Sequence, residues 1–378
     1  MNSSVPQTSL RQVPMSSPDL GPLESKLVNE VLESTTLCFG PMSTKFERQL
    51  ADFSGTRYAA VYSSGTAALH ACVIAAGISD ADEVITTPFS FVASANCLLF
   101  ERAVPVFVDV DPQTGNINPA GIEERITPKT KAILPVHVFG QPADMDPIRE
   151  IAARRGLAVI EDACEAIGAE YKGRRAGTLG DAAAFAFYPN KQITTGEGGA
   201  IVTDREDWDQ LFRSLRNQGR DVMDPWLVHS RLGFNYRLGE LSAALGVAQM
   251  QRIEELLAKR ERVAAAYSKR LAGLERITTP VIASTTTRMS WFVYVVRLAD
   301  GLDRDVVMHK LSADGIPTRP YFSSIHLQPF YRARFGYREG DFPVTEHLAA
   351  QSMALPFYGN LSDADLEYVC ERLEAHTK

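Results

Sequence analysis

The chain has 378 residues, of which 45% are hydrophobic and 22% charged, the usual balance of a globular protein. Its formal net charge is −7, from 39 basic and 46 acidic residues, and it has no Lys/Arg-rich block, so neither a nucleic-acid nor a membrane partner is expected. No apolar stretch is long enough to span a bilayer. The first dozen residues are polar and lack the apolar run of a signal peptide, and residues 1–13 are predicted to be a flexible extension.

The five cysteines are odd in number and widely spread, and none belongs to a CxxC pair or a Cys/His cluster. This pattern argues against a disulfide framework and against a metal site. Core packing is the expected role of most of these thiols, and a reducing cytoplasm is the expected compartment. The cysteines are Cys38, Cys72, Cys97, Cys164 and Cys370.

In the first two thirds of the chain, apolar runs that read as buried strands alternate with helical segments. The predicted strands are 58–62, 83–87, 104–110, 131–136, 157–160, 182–187 and 200–203. The predicted helices are 67–77, 91–100, 119–126 and 147–155. This alternation predicts an α/β fold whose parallel sheet is covered by helices on both faces.

The pattern changes towards the C-terminus. Residues 238–257 predict one long amphipathic helix with apolar positions at Leu241, Ala244, Leu245 and Ala248, and helical character continues over 259–271. Beyond it we predict a strand at 291–298 and helices at 303–311, 345–354 and 363–375. The expected domains are a large one over 14–250 and a small one over 251–378.

A small-residue turn, SSGT at 63–66, connects the first predicted strand to a helix. Backbone N–H groups at the start of that helix would point at a bound anion, and phosphate suits such a position. A simple helix cap by Ser64 or Thr66 accounts equally for the same residues. Taken alone, the motif leaves both interpretations open.

A lysine, Lys191, follows the predicted strand 182–187 in the stretch FAFYPNKQITTGEGGAIVT at 185–203. Partial desolvation at the end of a strand lowers an amine's pKa and prepares it for Schiff-base chemistry with a carbonyl group. The alternative is an ordinary solvated loop lysine. The choice between these two interpretations depends on other residues of the chain.

Two further side chains follow strands of the same predicted sheet. Asp162 comes directly after a buried strand and needs a partner, such as a cationic ring nitrogen, unless it caps the next helix. Phe91 begins a helix and could stack on a flat ring, although it could also be an ordinary core aromatic. Ligands of α/β sheets bind beyond the carboxyl ends of the strands, where these residues lie.

Together these features describe a pyridoxal 5'-phosphate site. Lys191 supplies the amine, Asp162 the charge partner of the pyridine nitrogen, Phe91 the aromatic face, and the turn at 63–66 the phosphate anchor. Each feature is weak alone. Their occurrence at successive strand ends of one sheet favours the cofactor.

Several motifs resemble those of the DegT/DnrJ/EryC1/StrS aminotransferases, and they occur in that family's order from about residue 14 to the end. They are SSGTAALHA, TTPFSFVASAN, PVHVFGQPADMD, EDACEAIGAEYKGRRAGTLGD, FAFYPNKQITTGEGGAIVTD, GFNYRLGELSAALG, GIPTRPYFSSIHLQPFY and ALPFYGNLSDADLEYV. The resemblance implies fold type I of pyridoxal-phosphate-dependent transferases, similar to aspartate aminotransferase. A large domain with a mainly parallel seven-stranded sheet would precede a smaller C-terminal α+β domain, and active sites would be shared across a homodimer.

The resemblance also implies roles for residues at matched positions. Lys191 would be the Schiff-base lysine and the catalytic residue. Glu165 would lie near the cofactor's 3-hydroxyl, a place where relatives often have Gln or His, and Asn235 would reach the phosphate from the partner subunit. The remaining cofactor-binding residues would be Gly65, Thr66, Ala67, Phe91 and Asp162.

One position departs from the family's pattern. Many members carry Ser in the middle of the FSF triplet before the lysine, whereas this chain has Ala186, which cannot donate a hydrogen bond to phosphate. One hydrogen bond to a charged group contributes about 1.5 to 3 kcal/mol, which other donors could offset. What replaces the serine is left open by the sequence.

The implied reaction moves an amino group from L-glutamate to a keto group, C4 by preference, of a nucleotide-linked 4-keto-6-deoxy sugar, with pyridoxamine 5'-phosphate as intermediate. ITTGEGG after the lysine resembles C4-acting, GDP-perosamine synthase-like members. C3 sugar amination, cyclitol amination and a non-enzymatic, pyridoxal-phosphate-binding regulatory role are the alternatives. Tyr321, His326 and Trp226 are the candidates for lining the sugar pocket, and ordinary loop positions are the alternative for them.

Overall fold

The computed structural model describes residues 11–221, 225 and 227–378. The helices of the described residues are α1 Pro22–Leu32, α2 Pro41–Ser54, α3 Gly65–Ala75, α4 Ala93–Phe100, α5 Met145–Arg155, α6 Glu206–Arg216, α7 Glu240–Gln251, α8 Ile253–Leu271, α9 Arg304–Ala313, α10 Pro329–Phe335, α11 Pro343–Gln351 and α12 Asp363–Thr377. The strands are β1 Tyr58–Tyr62, β2 Glu83–Thr86, β3 Val104–Phe107, β4 Thr130–Ile133, β5 Ala158–Asp162, β6 Glu170–Tyr171, β7 Arg174–Arg175, β8 Ala182–Ala186, β9 Gly199–Thr203, β10 Ile277–Thr278, β11 Thr286–Arg288, β12 Tyr294–Leu298, β13 Arg319–Pro320 and β14 Ser352–Leu355.

A seven-stranded sheet in the order β1-β9-β8-β5-β4-β2-β3 forms the centre of the larger part of the molecule. Strand β9 runs antiparallel to β1 and β8, and the pairs from β8 through to β3 are parallel. The strands are short apolar runs because both faces of the sheet are buried. The predicted mainly parallel seven-stranded sheet is therefore confirmed.

Helices cover both faces of this sheet. On one face, α3 and α6 pack with the strands in a core that includes Leu69 and Phe212. On the other face, α2 and α7 pack in a core that includes Phe46, Leu50 and Val247. Because the parallel strands all point the same way, their carboxyl ends and the loops that follow them lie at one edge of the sheet.

A second, antiparallel sheet in the order β10-β12-β14-β13 organises the C-terminal part. Helix α8 leads from one part to the other: Leu256 packs in the core beside the large sheet, whereas Tyr267 packs in the C-terminal core. The N-terminal segment reaches this second core too, since Val13 is buried in it and donates its N–H to the carbonyl oxygen of Gly315 at 3.0 Å. The division near residue 250 stays a prediction.

Three predicted elements differ from the structure. Residues 119–126 form two short 3-10 turns, Pro119–Gly121 and Glu123–Arg125. The single helix expected over 238–257 is interrupted at Arg252, whose guanidinium binds the carboxylates of Asp19 and Glu24. The helix expected at 345–354 ends at Gln351, and the following buried residues form β14 because they pair with both β12 and β13.

The buried face of α7 also differs from the predicted one. Ala243, Ala244, Val247 and Ala248 are fully buried, whereas Leu241 is 38% exposed.

No helix of the described residues combines the length and the hydropathy that a membrane crossing requires. The part of the chain that the structure describes contains no group of three or more His, Cys, Asp or Glu side chains suited to a metal ion.

Candidate active site

A cavity of about 500 Å³ opens at the carboxyl ends of β1, β5 and β8. Predicted site residues from separate parts of the sequence meet there. Those that line the cavity are Gly65, Thr66, Phe91, Asp162, Glu165, Lys191 and Tyr321, with Ser64 and Ala186. The chemistry predicted from the sequence is therefore expected in this cavity.

Lys191 lies in the loop between β8 and β9, and only 13% of its side chain is exposed. Its Nζ is 3.7 Å from Oε1 of Glu165 and 3.8 Å from the ring centroid of Phe292. An ammonium group gains from a carboxylate and from an aromatic face at these distances. The lysine is thus held inside the cavity, in contrast to a solvated loop side chain.

Neutral hydrogen bonds fix the loop that carries this lysine. The side-chain amide of Gln192 donates to the carbonyl oxygens of Glu165, at 2.6 Å, and Ser290, at 3.0 Å. The hydroxyl of Thr194 donates to the carbonyl oxygen of Phe187 at 3.0 Å. The residues that flank Lys191 are therefore anchored to two other segments of the chain.

Glu165 is the acidic neighbour of the lysine and is 6% exposed. Its Oε2 accepts the backbone N–H of Phe139 at 2.9 Å, which leaves Oε1 facing the lysine. Burial raises the pKa of Glu165, although Lys191 and the N–H of Phe139 act in the opposite direction. A carboxyl group in this position can hold or release a proton close to the amine.

Asp162 is the last residue of β5 and is 4% exposed. Ser94 Oγ donates to its Oδ2 at 2.6 Å, and the N–H of Cys164 donates to its Oδ1 at 3.2 Å. Ser90 Oγ lies 2.7 Å from Ser94 Oγ, so a short hydroxyl chain supports the carboxylate. The sequence analysis missed Ser90 and Ser94; Ser90 precedes α4, Ser94 lies in its first turn, and no local pattern links either residue to Asp162.

The turn before α3 lines one end of the cavity. Ser64 is the N-cap of α3, and its Oγ accepts the N–H of Ala67 at 3.1 Å. The structure thus uses the Ala67 donor, predicted to bind phosphate, in the helix cap. The N–H groups of Gly65 and Thr66 belong to the first turn, where no acceptor within the helix is available, so they remain suited to an anion.

Ala186 lies directly beneath this turn. A Cβ placed on Gly65 would be 2.6 Å from the Cβ of Ala186 and 3.0 Å from Sγ of Cys164. The α3 turn and the end of β8 are therefore packed as closely as glycine permits. Among the described residues, Thr66 and Ser64 bring hydroxyl groups to this end of the cavity.

Phe91 and Tyr321 form the rim of the cavity. Phe91 is 61% exposed, and both residues also line an adjoining outer groove. Burial, followed by the nearby Glu165, raises the pKa of Tyr321 to about 12, so its hydroxyl stays protonated and can donate a hydrogen bond. Tyr321 is therefore placed to contact whatever occupies the cavity.

The other predicted site residues do not line this cavity. His326 is fully buried and its Nε2 lies 3.0 Å from Oε1 of Glu346, so its ring belongs to the core beside Phe342. Asn235 is exposed, pairs with Asn217 in an isolated antiparallel β-bridge, and does not line the cavity. Trp226 lies outside the described residues.

The donor set suits pyridoxal phosphate by its chemistry. One end of the cavity presents helix N–H groups that suit a phosphate, and the buried carboxylate of Asp162 suits a protonated pyridine nitrogen. The amine of Lys191 suits the aldehyde carbon, and the exposed ring of Phe91 suits a flat heterocycle. The residues present fit this cofactor.

Known proteins match the chain over nearly its whole length. The DegT/DnrJ/EryC1/StrS aminotransferase family matches residues 18–374. GDP-perosamine synthase of Caulobacter vibrioides is 42% identical over 373 residues, which cover 97% of this chain and 98% of that protein. Among solved structures, DesV of S. venezuelae in complex with a ketimine intermediate has a TM-score of 0.91 at 34% identity and covers 97% of this chain and 99% of its own. Spr1654 of Streptococcus pneumoniae, in its PLP form, has a TM-score of 0.92 at 25% identity, with coverages of 97% and 99%.

Proposed function

Because the chain belongs to the DegT/DnrJ/EryC1/StrS aminotransferase family, we propose that it transfers the amino group of L-glutamate to C4 of a nucleotide-linked 4-keto-6-deoxy sugar. The observation that carries the proposal is the buried Lys191 amine in one cavity with Asp162, Phe91 and the α3 turn. The family, the fold and the aminotransferase class predicted from the sequence are confirmed. The product would be an amino sugar for polysaccharide or other glycan synthesis.

The cavity residues share the work of binding and orientation. Pyridoxal phosphate, when bound, supplies an electron sink and carries the amino group in its pyridoxamine form. Gly65 and Thr66 would hold its phosphate, Phe91 would support its ring, and Asp162, fixed by Ser94 and the N–H of Cys164, would keep its ring nitrogen protonated. Lys191 would form the Schiff base that anchors it.

Proton movement falls to Lys191 and its neighbours. Once free, the amine of Lys191 would take the proton from the α-carbon of glutamate and return one to the sugar's C4. Glu165 Oε1, held towards Nζ because Oε2 is bonded to the N–H of Phe139, would keep that amine directed into the cavity. Tyr321, protonated through the working pH range, would donate to the substrate.

An outer groove provides the space that a nucleotide needs. It has a volume of about 950 Å³ and shares Phe91 and Tyr321 with the Lys191 cavity, so a ligand can extend through both. Arg334 is the one charged residue in the part of this groove that the structure describes. Its guanidinium carbon lies 5.9 Å from the ring centroid of the exposed Phe330, and the exposed Phe100 lines the same groove. A cation beside aromatic faces suits a diphosphate attached to a base.

Three finer assignments rest on the family. The ITTGEGG stretch after Lys191 supports C4, and the relative named GDP-perosamine synthase supports a GDP-linked sugar. Asn235, exposed and away from the cavity of its own chain, is assigned to the phosphate site of a partner subunit in a homodimer. The cytoplasmic location inferred from the cysteines stays a prediction.

The test combines a binding spectrum with product analysis. Purified protein with pyridoxal phosphate should show the absorbance of a lysine Schiff base, and L-glutamate should discharge it. Lys191→Ala should lack the band and the turnover, with Glu124→Gln, an exposed surface change, as the control. Mass spectrometry of products from GDP-, UDP- and dTDP-linked 4-keto and 3-keto sugars would identify the acceptor.

Full turnover by Lys191→Ala would contradict the assignment. A protein that forms the band and responds to glutamate, yet aminates only a 3-keto sugar or a cyclitol, would overturn the C4 proposal alone. A band without any response to glutamate would favour the regulatory alternative.

A further inference from the structure

Arg260, on α8, is a buried arginine that contacts the backbone of the active-site loop. It is 5% exposed. Its Nη2 donates to the carbonyl oxygens of Asn190, at 3.2 Å, and Lys191, at 2.7 Å. Its Nη1 donates to the carbonyl oxygens of Phe292, at 3.1 Å, and Trp291, at 3.4 Å. One guanidinium therefore connects the lysine's main chain with a second segment of the cavity wall.

The charge of Arg260 has no acidic partner among the described residues. Burial alone lowers the pKa of Arg260 to about 10, with no charged neighbour acting against it. By contrast Arg216, which is similarly buried, pairs with the carboxylate of Glu47. Burying an unpaired cation is costly, and charge-assisted hydrogen bonds to carbonyl groups offset part of that cost.

We propose that Arg260 is a positioning residue that sets the Lys191 amine at its reacting place. The segment it joins to the lysine loop includes Phe292, whose ring centroid lies 3.8 Å from Nζ. The backbone from which Lys191 projects and the backbone that carries the contacting ring thus bind the same planar guanidinium. This inference rests on the proposed Schiff-base role of Lys191.

The contacts separate this role from general support of the loop. Gln192 already ties the loop to Glu165 and Ser290 with neutral hydrogen bonds, and these do not involve Arg260. Arg260 adds a connection to α8, a helix whose later residues pack in the C-terminal core. The two terminal nitrogens of a guanidinium can donate to two separate pairs of carbonyl oxygens. A lysine side chain has a single terminal nitrogen and cannot contact both pairs.

The experiment compares Arg260→Lys and Arg260→Met with Arg262→Met in the full-length protein. Arg262 is exposed, lies on the same helix and donates to the carbonyl oxygen of Gly359 at 3.1 Å, so it controls for loss of an arginine–carbonyl contact. Cofactor-free protein is mixed with pyridoxal phosphate, and the rate of Schiff-base formation is followed by absorbance. The melting temperature, kcat and KM are measured on the same preparations.

Arg260→Lys keeps the charge and the aliphatic stem but leaves some of the bound carbonyl groups without a donor, so its melting temperature should fall, and the kinetics are measured well below that temperature. In the folded variant the Schiff-base rate and kcat should fall about tenfold or more, with KM for the sugar little changed, because the amine is misplaced and the substrate contacts are not. Arg260→Met should show a larger fall, and Arg262→Met none.

A wild-type Schiff-base rate in Arg260→Lys would overturn the inference, whatever the melting temperature. Failure of the wild-type protein itself to form the band would instead overturn the proposed function. The two failures are therefore distinguishable in one set of measurements.

Discussion

At the scale of single residues, the cavity is built from polar groups whose burial is only partly compensated. Glu165 keeps a carboxyl group out of water beside one amine and one backbone N–H. Such an environment costs stability when the group is ionised, and the cost is retained where it serves chemistry. Its effect is therefore measurable as a dependence of stability on pH.

We expect Glu165→Gln to stabilise the cofactor-free protein at neutral pH. The folded-state pKa of Glu165 is raised, so the folded protein holds this proton to higher pH than the unfolded chain does. The wild type should lose unfolding free energy relative to the variant as pH rises from the ordinary glutamate pKa through the folded-state pKa. Above that value the difference should be constant.

Urea unfolding of both proteins between pH 4 and pH 8, about the range in which carboxyl and imidazole groups titrate, would measure this difference. Glu124→Gln, at an exposed position, is the matched control and should run parallel to the wild type. Parallel curves for Glu165→Gln as well would show that burial does not govern this carboxyl group.

Tyr321 and His326 should respond oppositely to substitution. Tyr321→Phe should leave stability unchanged and lower kcat/KM about tenfold, because it removes one donor from the cavity.

His326→Ala should leave kcat/KM largely unchanged and lower the unfolding free energy by about 2 kcal/mol or more, because it empties a buried site beside Phe342 and Glu346. Steady-state kinetics and urea unfolding test both; a raised KM in a stable His326→Ala would contradict the core assignment.

The sequence could predict Lys191, Asp162 and Phe91 because each follows a recognisable strand, and strand ends of one sheet meet at one edge. It could not predict Phe292 or the Ser94 support of Asp162. Phe292 comes from a distant segment, and no local pattern records that its ring meets the lysine amine. The sequence was equally silent on the surroundings of His326, because nothing in its loop motif indicates that the ring contacts Glu346 and Phe342.

At the scale of elements, the alternation of apolar runs with helices was sufficient for the large sheet. All seven of its strands overlap predicted ones, since short β-branched and alanine-rich runs between turns have few alternatives in a sheet buried on both faces. Errors lie where tertiary contacts override local pattern. Arg252 interrupts a continuous helical pattern because Asp19 and Glu24, far away in sequence, bind its side chain.

The close packing of β9 against the α3 turn gives a prediction at this scale. A Cβ on Gly199 would meet the carbonyl oxygen of Ser64 and lie 2.6 Å from the N of Gly65. Gly199→Ala should displace the phosphate-facing turn and weaken pyridoxal phosphate binding about tenfold or more, because overpacking costs about 1 to 3 kcal/mol. Equilibrium dialysis would measure the affinity.

Gly239→Ala is the matched control for this change. Its Cβ would have its nearest neighbour, the carbonyl oxygen of Leu37, at 3.9 Å, so an ordinary contact replaces a clash. Unchanged cofactor affinity in Gly199→Ala would mean that the turn does not hold the phosphate.

At the scale of the whole molecule, a few exposed apolar side chains suit the proposed homodimer. Leu37, Phe39 and Leu241 are between 38% and 58% exposed, although each belongs to or precedes a packed helix. Exposed apolar side chains of this size are typical of a surface that another subunit covers. The proposed homodimer would cover such a surface and bring Asn235 to the partner's phosphate site.

Mixing two inactive variants would test whether each site draws on both subunits. Lys191→Ala lacks the reacting amine, and Asn235→Ala should lack a phosphate contact worth about 1.5 to 3 kcal/mol, so at limiting pyridoxal phosphate both should be nearly inactive alone. If Asn235 serves the partner's cavity, a mixed dimer has one site with both residues intact and one with neither. Random mixing by unfolding and refolding makes half the dimers mixed, so about a quarter of wild-type activity should return. If Asn235 acted within its own chain, every site in every dimer would lack one residue, and no activity would return at any mixing ratio.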